Sequence, residues 1–380
     1  MSEFIFFLSI ITVVYIYMGY PFAAFIISSL RGKKVRKGRC EPYVTILIAA
    51  HNEEGVIGQT LKNKLSLDYP REKLEIIVIS DGSTDGTDSI VKGYKTAGVR
   101  LIRQEPRAGK TSGLNLAAPE AAGEVLVFSD ANSRYDKNAL RKLMENFNDP
   151  GVGYATGKMI YTSPDGSTAG DGCSAYMRYE NLLRSIETNL GSVVGVDGGI
   201  DAVRKGLYKS MKPDQLPDFV LPLKVVEQGY RAVYEPEAIL REQSLETSSD
   251  EYRMRVRVSL RAFWALWDMR RLLAFSPSLL FSWQLWSHKV LRYLCFIFLI
   301  AAFISNLFLW DENGFYKIAF TAQCLVYTSA ALSPFFENRG RRIRLLYLIN
   351  YFALLNLASA HAFLKFITGQ KMATWTPRKG

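Results

Sequence analysis

Four cysteines in 380 residues, Cys40, Cys173, Cys295 and Cys324, show no paired spacing, and two of them lie in apolar runs. That argues against a disulfide framework and against a zinc site. No Walker A spacing surrounds the lone Gly109–Lys110 pair, which removes P-loop chemistry. The first apolar stretch has no basic run before it and no small-residue cleavage site after it, so a removed signal peptide is not expected. Negative charge is also in deficit: 47 basic residues face 36 acidic ones, a net charge of +11. Nucleic acid is the reflex partner for such a balance. Here, however, the basic clusters flank apolar segments (RGKKVRKGR at 31–39, RGRRIR at 339–344), which fits membrane topology and no nucleic acid.

Apolar residues are in excess, 48% of the chain with 13% aromatic, and long runs of them sit at the two ends. Residues 1–30 read as an N-terminal transmembrane helix, since 4–30 are almost uninterrupted apolar sequence. Gly19 and Pro21 are expected to kink it, as membrane spans tolerate. The basic run at 31–39 should stay in the cytosol and keep the next domain there. That domain is expected over 40–245, amphipathic interface helices over 250–288, three C-terminal transmembrane helices over 289–368 and a tail over 369–380. Arg alternates with apolar and aromatic residues at 252–273, the pattern of a helix lying on an anionic membrane surface. Lys365 should snorkel to a membrane edge. Four spans put the tail outside, whereas Lys371, Arg378 and Lys379 favour the inside; one re-entrant segment would resolve the conflict.

Between the ends, YVTILIAA (43–50), LEIIVIS (74–80), VRLIRQ (99–104) and EVLVFSD (124–130) read as strands separated by helical spacing. This alternation predicts an α/β fold with a mostly parallel, Rossmann-like sheet. Polar residues follow the strands at one edge: Asn52 and Glu53, then Asp81, then Asp130. Ligands of open α/β sheets bind outside the carboxyl ends of the strands, so this edge is the candidate site. Asp130 and Asn132 offer two oxygens to a hard cation such as Mg²⁺ or Mn²⁺, which takes further ligands from water and phosphate. The same two residues also suit an ordinary turn. Asp81 and Asp85 can accept hydrogen bonds from a base and ribose, or cap a helix. Lys110, at a helix start after Arg107 and Gly109, can meet a phosphate.

HNEE (51–54), ISDGSTDGT (79–87), RAGKTSGLN (107–115) and FSDAN (128–132), in this order and spacing, resemble the nucleotide-binding half of family 2 glycosyltransferases with the GT-A fold, over residues 43–240. The resemblance implies that Asp81 contacts the uracil or ribose of a nucleotide sugar, with Asn52, Glu53, Asp85 and Lys110 also on the donor side. It makes Asp130 and Asn132 the DxD element that holds the cation bridging the diphosphate, one negative charge fewer than usual. Gly198 and Gly199 would let the backbone approach the acceptor closely, and Asp201 after them reads as structural. Asp218, in LPDF, falls where the family places its catalytic base, although Pro217 replaces the acidic residue before it and a plain N-cap is the other reading. An inverting transfer needs such a carboxylate to take the acceptor hydroxyl's proton. Processive members carry a QxxRW motif further on. Here YRMRV (252–256) lacks the Gln and the Trp and leaves Arg255 to meet the diphosphate.

The expected function is that of a metal-dependent (Mg²⁺ or Mn²⁺), inverting, multi-pass membrane glycosyltransferase of the cell membrane. It would move a sugar from a cytosolic nucleotide donor, a UDP-sugar by resemblance, to a lipid-linked or membrane-proximal glycan acceptor. The alternatives are a processive exopolysaccharide synthase, a catalytically silent nucleotide-binding subunit, and a tethered nucleotidyltransferase that would release pyrophosphate.

Overall fold

The computed structural model describes residues 1–162, 171–243, 248–274, 278–337 and 344–372. The basic cluster's residues 339–343 and the tail beyond 372 lie outside the described residues.

The core of the chain is one eight-stranded sheet in the order β3-β2-β1-β4-β7-β6-β8-β5. Its strands are β1 (Val44–Ala50), β2 (Leu74–Asp81), β3 (Val99–Gln104), β4 (Val125–Asp130), β5 (Arg134–Tyr135), β6 (Val152–Thr162), β7 (Asp201–Arg204) and β8 (Arg231–Gln243). β1 to β4 are parallel, as the alternation of strands and helices requires. Beyond β4 the sheet departs from the expected winding: β7 runs antiparallel to both β4 and β6, and β6 is parallel to β8. Helices cover both faces, so every residue of β1 is buried. Ile46 and Ile48 point into one apolar cluster with Ile57, Leu61 and Leu140, while Leu47 points into the other with Leu114, Leu126 and Val220.

Ser2–Arg31 forms a 30-residue helix that is long and apolar enough to cross a bilayer. It contains a π-turn at Tyr15–Gly19, just before Pro21. Pro21 has no N–H to give to the carbonyl four residues back. That carbonyl, on Tyr17, instead accepts from the Tyr179 hydroxyl at 3.1 Å. Nearby, Tyr20 donates to Glu187 Oε1 at 2.5 Å, His288 Nδ1 lies 2.6 Å from the same oxygen, and Glu187 Oε2 accepts from Val194 N at 3.2 Å. Tyr20 and Ala24 pack with Leu183, Ile186 and Leu190 of the helix Asp171–Leu190. The basic run after the helix is strapped to the domain rather than free, with Lys37 Nζ 2.6 Å from the buried Glu235 carboxylate.

Towards the C-terminus, Leu279–Tyr293 and Cys295–Phe308 make a helix pair bent by 57°, followed by helices Gly314–Glu337 and Arg344–Ile367. Among the described residues, the helices with the length and apolarity of a span number one, or two if the bent pair counts as a single span, against the four expected. Lys317 and Gln323 dilute the first of the two later helices, and Asn350, Asn356, His361 and Lys365 the second. The Arg-rich helix Ser248–Asp268 also differs from expectation. Val256, Leu260 and Phe263 pack on Ala358 and Ala362, while Ala262, Ala265 and Leu266 join the apolar cluster of Leu47, Leu114 and Val220, so it is clasped on two sides. Cys40, Cys295 and Cys324 are free thiols.

Candidate active site

The carboxyl ends of β1, β2 and β4 and the loops after them meet at one edge, and the site assembles there. Two turns form its rim. Asn52, at φ +53°, accepts from Thr84 N at 2.8 Å; Glu53 N donates to Thr87 Oγ1 at 2.8 Å; Glu54 Oε2 accepts from Gly86 N at 2.7 Å. Asp85 Oδ2 accepts from Glu54 N at 3.1 Å, and its Oδ1 accepts from Thr87 N at 3.0 Å. Burial works against the Asp85 carboxylate, but these donors and the Thr87 hydroxyl hold it below the usual range. Asn52, Glu53 and Asp85 therefore lock the two turns together.

Asp81 closes β2 and is 1% exposed. Its Oδ1 accepts from Gln104 Nε2 at 2.5 Å and Ala108 N at 2.8 Å, and its Oδ2 from Gly109 N at 3.0 Å. Both oxygens accept from protein donors, so the carboxylate shapes the 107–109 loop. That loop, with Gly109 at φ +93°, launches the helix Lys110–Glu120.

Lys110 is the centre of the site. Its Nζ lies 2.7 Å from Asp130 Oδ1 and 3.7 Å from Asp218 Oδ1. Burial disfavours the ammonium, yet the facing carboxylates of Asp130 and Asp218 raise its pKa. Asp218 is the second residue of the helix Pro217–Glu227, where Pro217 suits the first turn. Burial raises the pKa of Asp218; Lys110 opposes the shift and Asp130 adds to it. A raised carboxylate is a better proton acceptor near neutrality.

Gly198 and Gly199 hold φ +82° and +79°. A Cβ on Gly198 would stand 2.6 Å from Asp218 Oδ2, and one on Gly199 would stand 2.8 Å from Leu240 Cδ2 and 3.7 Å from Asp130 Oδ2. Only glycine gives both that backbone and that clearance. The two glycines thus lie directly against the carboxylates.

Asp130 and Asn132 fit a hard divalent cation in part. The Asp130 side chain is 37% exposed, and Asn132 donates its Nδ2 to Glu242 Oε1 at 3.3 Å, which leaves its amide oxygen to coordinate. No cluster of three or more His, Cys, Asp or Glu able to hold a metal occurs among the described residues. The pair would complete a shell with water and phosphate oxygens, the usual habit of Mg²⁺.

Arg255, expected on the donor side, makes its described contacts elsewhere. Its guanidinium pairs with Glu251 at 2.8 Å and donates to Tyr351 at 2.6 Å, beside the C-terminal helix. The arginine near Asp218 is Arg261, six residues on, which sequence reasoning missed. Arg261 donates to the carbonyls of Asp214 and Gln215. Burial pushes its pKa down to about 10, against the pull of Asp218. Asp201, also unassigned to chemistry by its sequence context, lies 1% exposed on β7 beside Asp218.

Residues 45–201 match the model of Glycosyl transferase family 2. The protein named "Probable glycosyltransferase YdaM" from Bacillus subtilis (strain 168) is 30% identical over 231 residues, 57% of this chain and 54% of that protein. The chain thus spans about half the length of that relative. A "Poly-beta-1,6-N-acetyl-D-glucosamine synthase" from Staphylococcus epidermidis (strain ATCC 35984) is 25% identical over 324 residues, covering 80% of this chain and 77% of that one. Among solved structures, the mannosyltransferase PcManGT from Pyrobaculum calidifontis, in complex with GDP-Man and Mn²⁺, aligns with a TM-score of 0.74 at 20% identity, over 97% of this chain and 100% of that one. The fold is therefore a mixed α/β fold of the GT-A kind.

Proposed function

We propose, from the match of residues 45–201 to Glycosyl transferase family 2, that the chain is a membrane-anchored, inverting glycosyltransferase. It takes a sugar from a nucleoside-diphosphate donor, with a UDP-sugar the first to test, and passes it to a lipid-linked or membrane-proximal glycan acceptor. The observation that supports this most is Lys110, which draws Asp130 and Asp218, 88 positions apart in sequence, to one ammonium.

In this reading the rim of the 51–54 and 81–87 turns receives the nucleotide. Asp218 takes the proton of the acceptor hydroxyl as that oxygen attacks the anomeric carbon. Displacement is direct, with no covalent enzyme intermediate, so the anomeric configuration inverts. Gly198 and Gly199 leave bare backbone where the acceptor approaches. Lys110 keeps the site's negative charge in check before the diphosphate arrives. Asp130 and Asn132 would hold a divalent cation, whose chemistry when bound is Lewis-acid stabilisation of the charge developing on the leaving diphosphate. Arg261 braces the Asp214–Gln215 segment that leads into Asp218.

The full chain in lipid, given a panel of nucleoside-diphosphate sugars and Mn²⁺, should release nucleoside diphosphate and yield an acceptor heavier by one or a few sugars. Release of pyrophosphate, or turnover unaffected by Asp218→Asn, overturns the proposal. The relative named as a polysaccharide synthase favours a second reading, processive polymer synthesis. Long polymer in the same assay would establish it.

A further inference from the structure

A glycine turn aims the C-terminal segment at the base of the candidate site. Helix Arg344–Ile367 closes on Gly369 at φ +74°, where Gln370 N donates to Lys365 O at 2.9 Å and Gly369 N to Phe366 O at 3.0 Å. That pair of bonds with a left-handed glycine turns a chain sharply out of a helix. Residues 370 and 371 are thereby sent back across the neighbouring helix Ser248–Asp268. Trp264 Nε1 donates to Gln370 O at 2.8 Å, and the Lys371 ammonium lies 4.7 Å from the centre of the Trp264 ring. From there Lys371 Nζ reaches Asp214 Oδ2 at 2.7 Å.

Asp214 stands in the short turn that leads into Asp218. Gln215 N donates to Lys212 O and Lys212 N to Gln215 Oε1, both at 3.0 Å, which closes the turn on itself. Asp268 grips it from outside, accepting from Lys212 Nζ at 2.9 Å and from Gln215 Nε2 at 2.8 Å. The Gln215 carbonyl accepts from Arg261 and, at 2.8 Å, from the hydroxyl of Thr111, the residue after Lys110. Leu216 then caps the helix that opens with Pro217 and Asp218. One turn is thus tied to the Lys110 helix, to the Ser248–Asp268 helix and to the C-terminal segment. The tie to Lys371 is the one most open to water, since its side chain is 47% exposed.

We propose that Lys371 is a positioning residue for the transfer: its ion pair with Asp214 fixes the 212–216 turn and, through it, the Asp218 carboxylate. This rests on the reading of Asp218 given above. Lys371 acts through Asp214 rather than on a reacting atom. An exposed ion pair adds little to global stability, so its worth here lies in geometry. A base held off its line loses rate steeply even when the fold is intact. Through this tie the C-terminal helix has a hold on the reaction.

Two variants of the full chain in lipid separate charge from bulk. Lys371→Met keeps an apolar stem over Trp264 and removes the ammonium, whereas Lys371→Arg keeps the charge. In the transfer assay Lys371→Met should lose about 5-fold in kcat, with donor KM and Tm nearly unchanged, and Lys371→Arg should keep the native rate. Hydrogen exchange read by mass spectrometry, without donor, tests the tie apart from turnover. Backbone amides of 212–220 should open about 5-fold more often in Lys371→Met than in the native chain or Lys371→Arg. An unchanged kcat in Lys371→Met, equal losses in the two variants, or native exchange at 212–220 overturns the proposal. So does a loss in kcat that a lower Tm accounts for. If no form turns over any donor while exchange behaves as stated, the transferase reading fails and the hold of Lys371 on the Asp218 segment stands.

Discussion

A methyl group added at Gly198 would stand 2.6 Å from Asp218 Oδ2. The backbone of the glycine pair and the carboxylate proposed as the base therefore fix each other's position. Gly198→Ala must both relieve φ +82° and push the carboxylate aside. The strain is about 1–2 kcal/mol, and a displacement of ~1 Å costs about 100-fold in rate. We expect kcat to fall by that factor while donor affinity, read by calorimetry, holds.

Lys110→Met removes the cation between Asp130 and Asp218. Lys110 lowers the pKa of Asp218, so its loss should move the acid limb of the kcat–pH profile to higher pH. The rate at neutral pH should drop by about 10²-fold. An acid limb that stays in place would show that Asp218 does not set it.

Asp81→Asn keeps the shape of the side chain but replaces an oxygen that accepts from Gly109 N with an amide. A buried donor left unmet costs about 1–3 kcal/mol. The loss should appear as a lower Tm and as a higher KM for the donor, because the 107–109 loop carries Lys110. A rise in KM at unchanged Tm would instead favour direct contact between Asp81 and the nucleotide.

Arg255 and Arg261 should separate cleanly. Arg255→Ala breaks contacts to Glu251 and Tyr351 and should lower Tm with little change in turnover per folded enzyme. Arg261→Ala frees the 214–215 carbonyls and should cost about 10- to 100-fold in kcat/KM. The reverse pattern would restore Arg255 to the donor site.

Stability should depend on pH through Asp201. Its pKa is about 8 in the fold, raised by burial and by Asp218, against about 3.9 in the unfolded chain. Between those values the folded state holds a proton that the unfolded state has released, so this contribution is full below the lower value and is lost as pH rises towards 8. Tm should fall from pH 6 to pH 9 more steeply in the native protein than in Asp201→Asn.

The half of the sheet built from β1 to β4 is legible in the sequence because its strands are continuous apolar runs that each end on a polar residue. The second half is not. β7 has four residues and begins with a buried acid, and β8 is broken by Glu235, Pro236 and Glu237. Asp130 and Asp218 could be singled out from local context, but their meeting at Lys110 could not, since nothing local sets the path of the chain between them. The different partners of Arg255 and Arg261 have a geometric cause. Six residues advance a helix by roughly 600°, so Arg255 and Arg261 point to different sides. With both sides of that helix covered, amphipathicity gives no clue to which one looks into the site.

Glu187 gathers Tyr20 from the N-terminal helix, His288 from the bent pair and Val194 from the glycine-rich segment on one carboxylate. A version trimmed to begin at residue 40 for easier handling would not be the same catalyst in miniature. It would bare Leu183, Ile186 and Leu190 and take from Glu187 one of the partners that steady the route into the glycine pair. The N-terminal helix and the candidate site share a wall, so shaving off one unsettles the other.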